Sequence, residues 1–442
     1  FSITRSPRRL AGDRESAPAE IPRDREPVPG VRAHGGTFSP TPRSMTRTKS
    51  LPFLTLVAVA AAALLLPAAA QRASADDLAV SDGDVAWMLT AAALVLLMTP
   101  GLSFFYGGMV GYKNVVSTML QSVIALGVVS LLWVAVGFSL AFGDSIGGVI
   151  GDPRTFLLFD GVGGAPDRAL CPTIPLLLFA LFQLKFAIIT PALITGAFAE
   201  RVRFSSYLLF MVLFSVLVYA PLAHMTWHPD GLLRQLGVLD FAGGTVVHMS
   251  AGFAAVAGAM VLGRRNVHRH GAAHVPANVP FVLLGMGMLW FGWFGFNAGS
   301  AMAADGLAAT AFATTNTASA AAMLGWIFWD WTRGKKPSAL GACIGAVVGL
   351  VAITPAAGFV TVRESLVIGL VASVVSNVAV HLKSKSTLDD TLDVFPCHGI
   401  GGVTGMLLTG VFADHGLADG EWELFLVHAG AMLLVSLFAF AA

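Results

Sequence analysis

From residue 85 onward, long apolar stretches alternate with short polar breaks. The stretches run over 85–110, 116–142, 174–199, 206–223, 241–262, 280–296, 307–331, 338–353, 365–382, 398–412 and 422–442. Most approach the roughly 20 residues that an α-helix needs to cross a bilayer core. The eighth and tenth are shorter and rich in glycine, which predicts helices broken or buried within a bundle. Eleven spans divide into five, five and one. Five is odd, so a repeat of five has to be inverted in the membrane. The expected fold is all-α and integral to the membrane, with two inverted five-helix repeats and a closing helix.

The segment before residue 85 follows a different pattern. Residues 1–44 are rich in Pro, Arg, Ser and acidic residues, a composition too poor in apolar area to fold. They are read as an upstream segment that is not part of the native protein. Residues 45–75 carry Arg47 and Lys49, then an apolar run from Leu51 to Leu66, then Ala73-Ser74-Ala75. That is the layout of a secretory signal peptide. Met45 is the expected start, and 76–442 the expected mature domain. The sequence ends inside the eleventh stretch, so a further C-terminal segment is expected.

Composition agrees with a membrane class. Hydrophobic residues make up 55% of the chain and charged residues 12%, about half the charged share of a soluble domain; mean hydropathy is +0.74. A formal net charge of +1 gives no reason to expect a nucleic-acid partner. Charge distribution says more. One set of alternate breaks holds Lys113, Arg201, Arg203, Arg264, Arg265, Arg269, Arg333, Lys335, Lys336, Lys383 and Lys385. The opposite set holds only Arg154, Arg168, Arg234 and Arg363, among many acids. The positive-inside rule makes the first set cytoplasmic and the N-terminus external, as a cleaved signal peptide also requires. Cys171, Cys343 and Cys397 fit no metal or disulfide spacing.

Two histidines fall inside apolar spans, each after an aspartate: Asp240 before His248, and Asp393 before His398. Ionisable groups at membrane depth are costly and mark functional sites. Either histidine alone reads as a core residue bonded to a backbone carbonyl. Their matched places at the ends of the two halves favour a pair. Imidazole titrates near neutrality, and two adjacent rings can share one proton. With no Cys or acidic third ligand nearby, a metal site is not expected.

Several strings then carry a family resemblance: FYGG at 105–108, FAIITPALITGAFAERVRFSSY at 186–207, AHMTW at 223–227, DFAGGTVVH at 240–248, GWFGFNAGSA at 292–301, LGWIFWDW at 324–331 and DVFPCHGIGG at 393–402. In this order and together, they resemble the bacterial ammonium transporters of the Amt/Rh/methylammonium permease family. The resemblance covers residue 85 to the end. It implies uptake of ammonium or methylammonium across the cytoplasmic membrane, with neither cofactor nor enzymatic activity. It implies an external recruitment site at Phe186, Trp227 and Ser300 supported by Asp240, and a gate at Phe186 and Phe296. A proton relay at His248 and His398 and further pore lining at Phe105, Tyr106 and Trp293 also follow. It further implies a homotrimer and a PII-type regulatory protein on the cytoplasmic face. Asp240 is expected about 12 Å above His248 at 1.5 Å per residue, where it also reads as an N-cap. Asp393 is expected at the matching internal place with a structural role; His224 and His428 are read as structural.

Lys185 departs from the family pattern, which has a small or apolar residue directly before Phe186. Its expected course is to snorkel away from the pore; if it faced the vestibule, its charge would repel ammonium. Two rival functions stay open: an ammonium sensor that conducts little, and a pore for another small neutral solute.

Overall fold

The computed structural model describes residues 78–271 and 275–442. The expected upstream segment and signal peptide lie outside the described residues. From Asp82 the chain is built of helices: α1 (Asp82–Met109), α2 (Tyr112–Phe142), α3 (Leu176–Phe198), α4 (Phe204–Gln235), α5 (Gly244–Leu262), α6 (Val279–Ala301), α7 (Gly306–Thr332), α8 (Ala339–Ile353), α9 (Val362–Ser384), α10 (Phe395–Asp419) and α11 (Glu423–Ala441). Among the described residues, nine of these are long and apolar enough to cross a membrane. The other two are α7, which is diluted by Thr, Asn and Ser, and α8, which has only 15 residues. Large side chains such as Leu89, Leu131, Phe291, Leu324, Phe328 and Leu437 stand exposed on their outer faces. Apolar exposure on this scale marks a surface that meets lipid or protein.

α1 packs along α6, the first helix of one expected half against the first of the other. Glycine makes this possible. A Cβ on Gly285 would lie 2.3 Å from the backbone nitrogen of Phe105, and one on Gly101 3.3 Å from the carbonyl of Gly285. Small residues that let backbones approach are the usual basis of helix packing in membranes.

α10 begins earlier than its apolar pattern predicts, at Phe395 rather than His398, because a carboxylate described below caps its first N–H groups. A short hairpin of two-residue strands, Ser145–Ile146 with Ile150–Gly151, follows α2. The all-helical reading did not foresee it; Gly147 and Gly148, both at positive φ, turn the chain there.

Candidate functional site

The two histidine helices start in the same way. The Asp240 carboxylate accepts from the backbone N–H groups of Gly243 (2.8 Å), Gly244 (2.6 Å) and Thr245 (2.7 Å), and from the Thr245 hydroxyl. It thereby satisfies donors that a helix start otherwise leaves orphaned, and it sits at the positive end of the helix dipole. Gly243, at φ 112°, lets the chain turn into the helix. In the other half the same task falls to Asp390, which accepts from Val394 (3.1 Å) and Phe395 (2.7 Å). Asp393, expected at the matching place, instead takes positive φ and pairs with Lys383 Nζ at 2.6 Å. Asp393 is only five residues from its histidine, too close to reach back over the first turn. Asp240 to His248 and Asp390 to His398 are both spaced by eight in the chain, and that equality was the sequence signal for Asp390.

Both histidines lie in short π-helical segments, Gly244–Met249 and Phe395–Gly399. Such wide turns are frequent at functional sites, although two more, Trp133–Gly137 and Ser215–Tyr219, lie in α2 and α4 away from the histidines. The two helices cross at Gly252 and Gly399, where a Cβ on Gly252 would lie 2.3 Å from the Gly399 backbone. This close crossing brings His248 Nδ1 to 3.3 Å from His398 Nδ1. A nitrogen facing a nitrogen at that distance requires one N–H and one bare acceptor, so the rings hold opposite tautomers or share a proton. Both rings are buried, and His248 Nε2 has no hydrogen-bond partner among the described residues. Trp293 stacks on His248 at 5.3 Å, and its indole N–H donates to Thr354 Oγ1 at 3.0 Å, which fixes the ring plane.

Above the pair, Phe186 and Phe296 stack at 4.1 Å. They separate two cavities. The outer one, a vestibule of about 310 Å³, is lined by Phe186, Trp227, Asp240, Ser300 and Gln183 among others. Trp227 meets Phe186 edge-on at 5.8 Å, and its indole N–H donates to the Asp240 carbonyl at 3.1 Å. Ser300 Oγ donates to the Phe296 carbonyl at 2.9 Å, which leaves its oxygen able to accept. The inner cavity is a slot of about 10 Å³, lined by Phe105, Leu193, Trp293, Phe296, His248 and His398 among others. That is close to the smallest space that holds one water-sized molecule.

Tyr106 does not line the slot. Its hydroxyl donates to the Leu193 carbonyl at 2.9 Å and ties α1 to α3. Lys185 does not line the vestibule either. His224 bonds the Ala141 carbonyl and Ser145 Oγ, and His428 bridges the Leu239 N–H and the Met406 carbonyl.

Packed helices, most of them long and apolar enough to cross a membrane, enclose an aromatic vestibule, a closed ring stack and a narrow slot on a histidine pair, the build of a multi-pass membrane protein. The model of the Ammonium Transporter Family matches residues 86–442, and the chain belongs to that family. It is 48% identical over 359 residues to a putative ammonium transporter of Methanothermobacter thermautotrophicus, covering 81% of this chain and 86% of that one. It is 51% identical over 334 residues to the ammonium transporter of Bacillus subtilis, covering 75% and 80%. Among solved structures it resembles Saccharomyces cerevisiae Mep2, at TM-score 0.77 and 35% identity over 82% of this chain and 84% of that one. It also resembles a protein described as a sensor Amt protein, at TM-score 0.75 and 29% identity over 81% and 91%.

Proposed function

We propose that the chain takes up ammonium or methylammonium by separating the cation into the neutral amine and a proton. Ammonium is held in the vestibule by the faces of Phe186 and Trp227 and by the Ser300 oxygen. Aromatic faces attract a cation by about 0.5–2 kcal/mol, and a serine oxygen accepts one N–H. Asp240 is fully engaged by its own helix start, so it acts from behind, by positioning Trp227 and by its negative charge. A bare cation cannot pass the ring stack into an apolar slot, because an unpaired charge is far costlier to bury than a neutral molecule. Ammonia can pass. The proton left by each ammonium is accepted by the histidine pair and moves from ring to ring through the Nδ1–Nδ1 contact. The observation that carries this reading is the partnerless His248 Nε2 directly beneath the closed stack.

The same reading takes α1–α11 as eleven spans in two inverted halves with a closing helix. The common eight-residue spacing from capping Asp to His at the starts of α5 and α10 supports it. It also takes the protein as a multi-pass homotrimer of the cytoplasmic membrane with its N-terminus outside, one pore per protomer, and a PII-type protein as its cytoplasmic partner. Those follow the family resemblance and the charge of the loops.

The test is ammonium-evoked current from purified protein in proteoliposomes, with His248→Ala beside the parent. The expected result is current in the parent that is lost or altered in the variant. The likeness to a sensor Amt protein favours a second reading, that of an ammonium sensor. Ammonium binding without current in the parent would establish it and overturn uptake.

A further inference from the structure

Among the described residues that line the outer vestibule, two carry charge, Asp240 and Arg234. Their charges are used differently. The Asp240 carboxylate is turned to its own helix start, where it holds three backbone N–H groups and a hydroxyl. The Arg234 side chain makes no hydrogen bond or ion pair with any described residue, and it is exposed. Asp230, the nearest acid along the chain, has its carboxylate 3.9 Å from His228 Nδ1 instead. Arg154, another base from the same set of loops, is held by Asp152 at 2.6 and 3.0 Å. Arg234 thus brings an uncompensated positive charge to a cavity whose aromatic faces suit a cation.

The backbone that carries this charge is pinned. After Trp227 the chain leaves the long run of α4, turns through Pro229 and Gly231, and closes one last helical turn at Leu232–Gln235. The Leu232 N–H donates to the Gly148 carbonyl of the hairpin at 2.8 Å. The Gln235 side chain donates to the Pro229 carbonyl at 2.6 Å, and Leu233 is buried. The hairpin after α2 therefore supports the turn that holds Arg234 at the vestibule. The repulsion expected of a vestibule-facing Lys185 falls to Arg234, since Arg234 lines the cavity and Lys185 does not.

We propose that Arg234 sets the affinity of the vestibule for ammonium, as a fixed positive charge that opposes the cation at Phe186 and Trp227. This rests on the reading of the vestibule as the ammonium site. A cavity of about 310 Å³ is roughly 8 Å across as a sphere, which puts the guanidinium and a bound cation on the order of 10 Å apart. Like charges at that separation weaken binding about twofold across water, and about fivefold where low-dielectric walls strengthen the field. The charge acts on occupancy and not on the later steps, because the slot and the histidine pair lie beyond the ring stack. Ammonium and methylammonium carry the same charge and are opposed alike.

The test is the ammonium concentration for half-maximal current in proteoliposomes, with ammonium binding followed by calorimetry in parallel. At 0.01 M ionic strength Arg234→Gln is expected to lower that concentration about two- to fivefold, with the maximal current unchanged. Arg234→Lys, which keeps the charge, is expected to stay at the parent value. The gap between parent and Arg234→Gln is expected to close in 1 M sodium chloride, where the Debye length falls from about 30 Å to about 3 Å. Arg154→Gln, which removes a positive charge outside the vestibule, is expected to shift nothing. The Arg234 side chain bonds to no described residue, so both of its variants should keep the parent's melting temperature. A concentration that Arg234→Gln leaves in place, a gap that salt does not close, or an equal shift from Arg154→Gln overturns the role of Arg234, while saturable current in the parent leaves ammonium uptake standing. A parent with neither current nor ammonium binding overturns both.

Discussion

The start of α5 and the start of α10 carry the same cap, the same wide turn and a histidine at the same spacing, yet their approaches are held in place by different chemistry. The loop into α5 is fixed by a neutral bridge: His428 accepts from the Leu239 N–H at 3.0 Å and contacts the Met406 carbonyl at 2.9 Å. The loop into α10 is fixed by charge. Asp389 takes a bidentate grip on Arg265, which also binds Glu200 at 2.7 Å, and Arg201 bonds the carbonyls of Gly263, Ala197 and Asp389. The difference follows from where each loop lies. A fixed ionic latch beside the vestibule would compete with an arriving cation. On the opposite side, where the loops are rich in Lys and Arg, ion pairs are the available cement.

The largest effect should come from breaking the charged side. Removing one partner of a buried pair costs about 3–5 kcal/mol, and Asp389 is only 1% exposed at its side chain. Asp389→Asn is therefore expected to lower the melting temperature markedly at pH 7, with Arg265 left to Glu200 alone. The loss should depend on pH in a definite sense. Burial alone would raise the Asp389 carboxyl, but its bonds to Arg265 hold it below the ordinary 3.8, and Glu200 is likewise held below 4.5. A carboxyl depressed in the folded state contributes stability above its unfolded value and loses it as pH falls through the lower folded value. Parent and variant should therefore converge below about pH 4 when melting is followed in detergent from pH 7 to 3. A constant gap would show that the carboxylate's charge is not what holds the loop.

The caps come next. Asp240→Ala leaves three backbone N–H groups and one hydroxyl without a partner, whereas Asp390→Ala leaves two N–H groups. Losing a side-chain cap costs about 0.5–2 kcal/mol, and with more donors left open Asp240→Ala should lie at the upper end and Asp390→Ala at the lower, a gap of about 1 kcal/mol read as the difference in melting temperature. Equal losses would mean that the two caps are interchangeable.

This asymmetry also marks what could be read from the chain and what could not. The apolar stretches gave the helices and their order, because burial in lipid demands long uninterrupted runs. The aromatic and histidine positions came from ordered motifs. Asp390 was passed over for Asp393 because both precede His398 in a polar loop, and only the equal spacing of eight separates them. Tyr106 was expected in the pore beside Phe105, but neighbours on a helix point about 100° apart, and its hydroxyl is taken by Leu193. The hairpin after α2 and the π turns depend on tertiary bonds that periodicity does not carry. The face of α3 that holds Lys185 could not be assigned, since nearly every residue of that helix is apolar.

The crossing of the two halves offers a finer probe. Gly252→Ala drives a methyl into the Gly399 backbone, which cannot move aside, whereas a Cβ on Gly401 of α10 meets only side chains, Val351 Cγ1 at 3.2 Å and Ser376 Oγ at 3.7 Å. Overpacking of a rigid contact costs about 1–3 kcal/mol. Gly252→Ala should also part the imidazoles, so that ammonium-evoked current falls by more than the amount of folded protein does. Gly401→Ala, whose methyl asks only the Val351 side chain to give, should leave both far less changed. A Gly252→Ala protein with full current would show that the 3.3 Å contact is not needed for conduction.

The smallest expected effect tests the neutral side. His428→Phe replaces the imidazole by a somewhat larger apolar ring and removes both hydrogen bonds, at about 1–3 kcal/mol for the stranded Leu239 N–H; the Met406 carbonyl keeps its place in the helix ladder. Leu239 lines the vestibule and directly precedes Asp240. Loosening it should therefore let Trp227, which bonds the Asp240 carbonyl, lose its fixed edge against Phe186. The expected signature is a rise in the ammonium concentration for half-maximal uptake with little change in the maximal rate, because the slot and histidine pair lie beyond the altered loop. Asp389→Asn, on the far side, should lower the amount of active protein and leave the half-saturating concentration alone. If the two variants shift the same parameter, the approaches to α5 and α10 differ only in their bonding and not in what they serve.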